Sequence, residues 1–106
     1  MGYIKVKENK NRTNWSNKYT TDLFKAILRL KSVNECELFF RDLMTLSELD
    51  EMAGRWYAAK ELAKEKSIRE VAAMTNMSTA TVTRVAHWLK YGTGGYGLII
   101  DRVSEK

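Results

Sequence analysis

The stretch STATVTRVAH, residues 78–87, is rich in hydroxyl and basic side chains and holds no acid. Wound at about 100° per residue, it sets Ala80, Arg84 and His87 on one side, flanked by Thr81 and Thr83. Val82, Val85 and Leu89 fall on the other side. A solvated helix more often carries glutamate and lysine outward. Threonine offers a hydroxyl and a methyl group, and arginine can bridge guanine O6 and N7. This is chemistry for reading the edge of a base, with small side chains letting a helix lie deep in a groove.

Catalytic chemistry finds no comparable set. Cys36 and His87 are the only cysteine and the only histidine, and they lie far apart in sequence. No nucleophile–base pair, carboxylate pair or metal-ligand cluster can be assembled from them, so neither catalytic nor metal residues are expected. Cys36, within CELFF, reads as a buried small hydrophobe. A single cysteine cannot form an intrachain disulfide, which fits a reducing cytoplasm.

The reading side needs an element to hold it out. Ile68, Val71, Ala72 and Thr75 form the inner side of a short helix capped by Ser67. Asn76 tolerates a left-handed backbone better than other non-glycine residues, Met77 plugs the turn, and Ser78 caps the next helix. Ala72 is small enough for two helices to meet there at a steep angle. Short helices joined by such a turn make a helix-turn-helix over residues 67–90. Arg69, Ser78, Thr79, Thr81 and His87 are the expected phosphate contacts, with Ala80, Thr83 and Arg84 facing bases.

Elsewhere the chain has no proline and few glycines before residue 92, which favours helices joined by short polar turns. Thr21 is the expected N-cap of a first helix with Leu23, Phe24, Ile27, Leu28 and Leu30 as its apolar stripe. Asn34 is the expected cap of a second, carrying Cys36, Phe39, Phe40 and Leu43. A third should start near Ser47 and run to Lys66, burying Leu49, Met52, Ala53, Trp56 and Ala63, with Gly54 either marking the close approach of a helix or ligand or simply tolerated there. GTGGYG should break regular structure before a short apolar segment, LIIDRV. Trp56 and Trp88 read as packing residues.

The charge of +5 is unevenly placed. Lys5, Lys7, Lys10, Arg12 and Lys18 stand against Glu8 alone in the first 18 residues, leaving the remainder close to neutral. A basic arm over residues 1–17, with Trp15 near its end, fits attraction to a polyanion such as double-stranded DNA. The expected domain covers residues 18–91, with a glycine-rich tail over residues 92–106. No apolar run approaches the roughly 20 residues of a membrane span.

From TDLFKAILRLK through WLKYGTGGY the sequence resembles the Trp repressor-like superfamily, closest to its Trp repressor-related, YerC/YecD-type branch. The stretches FFRDLMTLSELDEMAGRW and SIREVAAMTNMSTATVTRVAHWLKYGTGGY carry the likeness. It implies an all-α helical bundle with a helix-turn-helix, forming an intertwined homodimer that meets two half-sites. In the repressor, the indole of the corepressor tryptophan lies between two arginines, matched here by Arg55 and Arg84. Val85 and Trp88 stand where the repressor lines that pocket with glycine and serine, and their bulk argues against free L-tryptophan as a cofactor. Asn76 and Ser78 likewise replace glycines.

The expected function is sequence-specific, two-fold-symmetric operator binding by a homodimeric repressor that needs no tryptophan. The alternative is a dimeric helical protein-interaction module, which the near-neutral charge outside the arm and the motif leaves open.

Overall fold

The computed structural model describes residues 16–104, which form six helices and no strand. Lys5, Lys7, Lys10, Arg12 and Trp15 lie outside the described residues. The chain divides into two compact units, one ending at Leu49 and the other running from Asp50.

In the first unit, α1 covers Lys18–Ile27 and α2 covers Val33–Leu43. The N-cap of α1 is Asn17, not Thr21: its side chain accepts from the N–H groups of Tyr19 and Thr20, and Thr20 Oγ1 accepts from the Asn17 N–H. This reciprocal box satisfies more of the free N–H groups of the first turn than Thr21 would. The cap of α2 is Ser32, whose hydroxyl accepts from the Glu35 N–H, so Asn34 lies inside the helix. Phe39 and Phe40 meet edge to face at 5.6 Å. Neither α1 nor α2 buries a residue, and Cys36 is only partly covered. Leu28, Val33 and Leu38 are exposed by 82%, 77% and 63%.

Helix α3 runs Leu46–Ala63 and belongs to the second unit from Asp50 onward. Thr45 Oγ1 accepts from the Glu48 N–H while Glu48 accepts from the Thr45 N–H, a second capping box that pulls the Glu48 pKa down. Its buried face is Ala58, Ala59 and Glu61, with Leu62 packed against the core; the expected Met52 and Ala53 are exposed. Of the expected inner residues, Trp56 and Ala63 do pack against the core and Met52 and Ala53 do not, because apolar residues ring this helix and periodicity alone does not choose between its sides. The helix ends three residues before Lys66, because Glu65 turns left-handed at φ 67°.

Helices α4 (Ile68–Thr75), α5 (Thr79–Tyr91) and α6 (Gly95–Ser104) complete the unit, with α4 packed on α5 and α5 on α6. Their core is Val71, Val82, Val85, Leu89 and Ile100, closed by Ala58 and Ala59. Fully burying each of the three valines contributes about 1.5–3 kcal/mol. The expected break at GTGGYG is shorter than expected: Gly95, Tyr96 and Gly97 are already helical, and Gly97 and Ile100 are buried.

Glu61 is 4% exposed, and Lys64, at 3.0 Å, and Lys66 both donate to its carboxylate. The Lys66 bond, then the Lys64 bond, holds the carboxyl below its ordinary value, and Lys66 is raised in turn. This pairing pins the link between α3 and α4, since stripping either lysine would leave a buried charge less compensated.

Candidate nucleic-acid interface

The position of α5 is set by three local devices. Ser67 and Glu70 form a capping box at the start of α4: Ser67 Oγ accepts from the Glu70 N–H at 3.0 Å, and Glu70 accepts from the Ser67 N–H at 2.9 Å. Those bonds favour ionised Glu70 and lower its pKa. At the other end, Asn76 stands in the left-handed region at φ 59° and stops α4. Ser78 Oγ then accepts from the Thr81 N–H at 3.1 Å and starts α5. Met77 packs against the core from inside the turn. A Cβ on Gly54 would stand 3.4 Å from the Met77 sulfur, at the edge of ordinary contact with the end of a flexible side chain, so α3 approaches Met77 closely there without requiring glycine.

With Val82, Val85 and Leu89 sealed in the core, the opposite side of α5 faces outward. Thr79, Ala80, Thr83, Arg84 and His87 are all exposed there, and Arg69 is exposed near the start of α4. The His87 ring lies 5.1 Å from that of Tyr91, one turn on. Thr81 differs from the others. It is half-buried, and its hydroxyl accepts from Ser78 Oγ at 2.9 Å, so both side chains already serve the cap.

Beside this surface lies a cavity of about 340 Å³, lined by Arg55, Arg84 and Trp88 together with Asp50, Glu51 and Met77. The structure therefore brings together three of the four side chains expected in a ligand pocket. Val85 is the exception: it is fully buried in the core and does not line the cavity, because the periodicity that turns Arg84 outward turns its neighbour inward. Trp88 is 46% exposed, a wall rather than the packing residue expected. Asp50 and Glu51 were not legible as lining residues. Their only local signal was acid in the first turns of α3, which reads equally as dipole pairing. Among the described residues no cluster of histidine, cysteine or carboxylates could hold a metal ion.

A cap–turn–cap geometry that presents one acid-free side of a helix is the form in which proteins enter a major groove. The chain is also similar to known proteins. A family model described as Trp repressor protein matches residues 18–104. The uncharacterized protein YerC of Bacillus subtilis (strain 168) is 40% identical over 83 residues, spanning 78% of this chain and 80% of its own length. A solved structure of a TrpR-like protein from Eubacterium eligens ATCC 27750 is 34% identical with a TM-score of 0.83, covering 89% of this chain and 99% of that one. A second solved structure, from Staphylococcus aureus, is 30% identical with the same TM-score of 0.83, covering 91% and 96%. On these likenesses the chain belongs to the Trp repressor family of DNA-binding regulators.

Proposed function

We propose that the protein is a homodimeric transcriptional repressor that reads a two-fold-symmetric DNA operator without free tryptophan. The observation that carries this reading is the outward side of α5, where Ala80, Thr83 and Arg84 stand exposed over a sealed apolar inner side. Ala80 lets the helix approach the bases closely, while Thr83 and Arg84 make the base contacts. Arg69, Thr79 and His87 hold phosphates and fix the register. Ser78 and Thr81, tied to one another, act by setting the start of the helix. Lys5, Lys7, Lys10 and Arg12 add salt-sensitive attraction to the duplex.

Homodimerisation is supported by α1 and α2, whose apolar residues have no core of their own within the unit that holds them. A second copy supplies the missing cover and doubles the reading heads, as a symmetric site requires. A bound dimer blocks a promoter by occupying it, and the place of action is the cytoplasm, where the DNA lies.

Independence from tryptophan is supported by the cavity beside Arg84. Trp88 already brings an indole to its wall, and Asp50 and Glu51 oppose a ligand carboxylate there. Titrating L-tryptophan into the protein by calorimetry, with duplex binding followed in parallel at low salt, tests the reading. The expected result is DNA binding that does not change with tryptophan. Saturable micromolar heat coupled to tighter DNA binding would overturn the tryptophan-free part. Loss of all DNA binding at low salt would favour a protein-interaction module instead.

A further inference from the structure

Trp88 also walls a second cavity, whose lining includes neither Arg55 nor Arg84. It measures about 420 Å³ and is lined by Trp88, Gly92, Thr93, Gly95 and Tyr96. That volume lies within the roughly 300–1,000 Å³ range of clefts that hold small molecules. No charged side chain lines it, so nothing there would repay an ion for its lost water. Two of its five lining residues are aromatic, and two are glycines that take up little of the space.

The walls are held in place. The Tyr96 ring stacks on Trp56, with centroids 6.5 Å apart and planes 20° from parallel, and Trp56 packs against the core. A Cβ on Gly92 would come within 2.5 Å of the Trp88 carbonyl oxygen, so the chain can close α5 this tightly only with glycine. Gly94, at φ 96°, then turns the chain into α6. The turn over residues 92–94 and the start of α6 thereby bring Thr93 and Tyr96 to the same opening as Trp88.

We infer that this cleft, formed by Trp88, Thr93 and Tyr96 around Gly92 and Gly95, binds a neutral bicyclic heteroaromatic molecule. Flat rings match aromatic walls through offset or edge-to-face contact, which an aliphatic body of equal size cannot make. The Thr93 hydroxyl, able to donate and accept, provides for a polar atom at the ring edge. The site is distinct from the cavity containing Arg55 and Arg84, and it does not depend on the reading of DNA.

Adenine and indole serve as probes and cyclohexanol as the non-aromatic control, each titrated into the full-length, 15N-labelled protein by NMR. The expected result is saturable shifts, for at least one aromatic probe, at the amides of Gly92, Thr93 and Gly95 and at the Trp88 indole N–H. Cyclohexanol should leave them still. Gly95→Leu, which fills the cleft, and Trp88→Ala, which removes a wall, should each weaken binding at least tenfold. Gly95→Ala, whose Cβ would meet Thr93 Oγ1 at an ordinary 3.8 Å, checks that the helix start tolerates a side chain. No saturable shift with either probe, equal response to cyclohexanol, shifts centred on Arg55 and Arg84, or full binding by the folded Gly95→Leu and Trp88→Ala proteins would each overturn the inference.

Discussion

Arg84 occupies two surfaces at once, since it is exposed on the outward side of α5 and lines the cavity that contains Arg55 and Trp88. Its long stem can lie along the cavity wall while the guanidinium reaches for a base. Arg84→Ala should therefore lower the preference for a cognate site over random duplex by about 1–3 kcal/mol in competition binding. Equal loss on both duplexes would reduce Arg84 to a phosphate contact. Glu61 carries a different expectation, about folding. Its pKa, like those of Glu48 and Glu70, is lower in the folded protein than its ordinary value of 4.5. Such groups stabilise the fold above the unfolded value, and the benefit is lost as pH falls through the folded one. Raised Lys66 has the opposite sense, contributing fully below 10.5 and losing its effect only as pH rises beyond that. Thermal melts should thus show Tm falling steadily below about pH 4.5. Glu61→Gln should lower Tm at pH 7 and flatten part of that acid limb; an unchanged limb would mean the Lys66 pairing adds nothing.

The turn between α4 and α5 was legible because its causes are local. Asparagine at a left-handed position, with a serine cap two residues later, specifies a stop and a restart without help from the rest of the chain. A β-branched residue at position 76 meets a steric cost of about 1–2 kcal/mol that glycine avoids. Asn76→Val should destabilise the protein by that amount in urea, and Asn76→Gly should not; equal midpoints would show that the strain is relieved elsewhere. Other elements were misread where two local answers competed. Asn17 and Thr21 are both good caps, and the box with Thr20 decided for Asn17. On α3 the apolar residues lie on several sides, and only packing against α4, α5 and α6 side chains selects Ala58 and Ala59 for burial. The helix at Gly95 opposes the propensity of its own residues, and burial of Gly97 and Ile100 offsets that cost. Of the site, the outward residues of α5 could be read from periodicity. Of the cavity, Arg55, Arg84 and Trp88 came through the resemblance, whereas Asp50 and Glu51 could not be read, because they meet those residues only through folding.

For the whole molecule, the exposed apolar residues of α1 and α2 matter as much as the reading helix. Patches of this kind on a small protein mark contact surfaces, and the proposed repressor would need two heads to read a symmetric site. Placing a charge there, as in Leu38→Asp with Val33→Asp, should turn a dimer into monomer or unfolded chain in sedimentation, with loss of specific DNA binding. A wild-type monomer at micromolar concentration would contradict the dimer. The decisive measurement is selection of bound duplexes from a random-sequence pool by the purified wild-type protein, without added tryptophan. Enrichment of an inverted repeat with half-sites about 34–36 Å apart is the result expected of paired α5 helices in successive major grooves. A pool that stays random after repeated rounds, or a site that Ala80, Thr83 and Arg84 substitutions leave unchanged, would show that this surface does not read DNA.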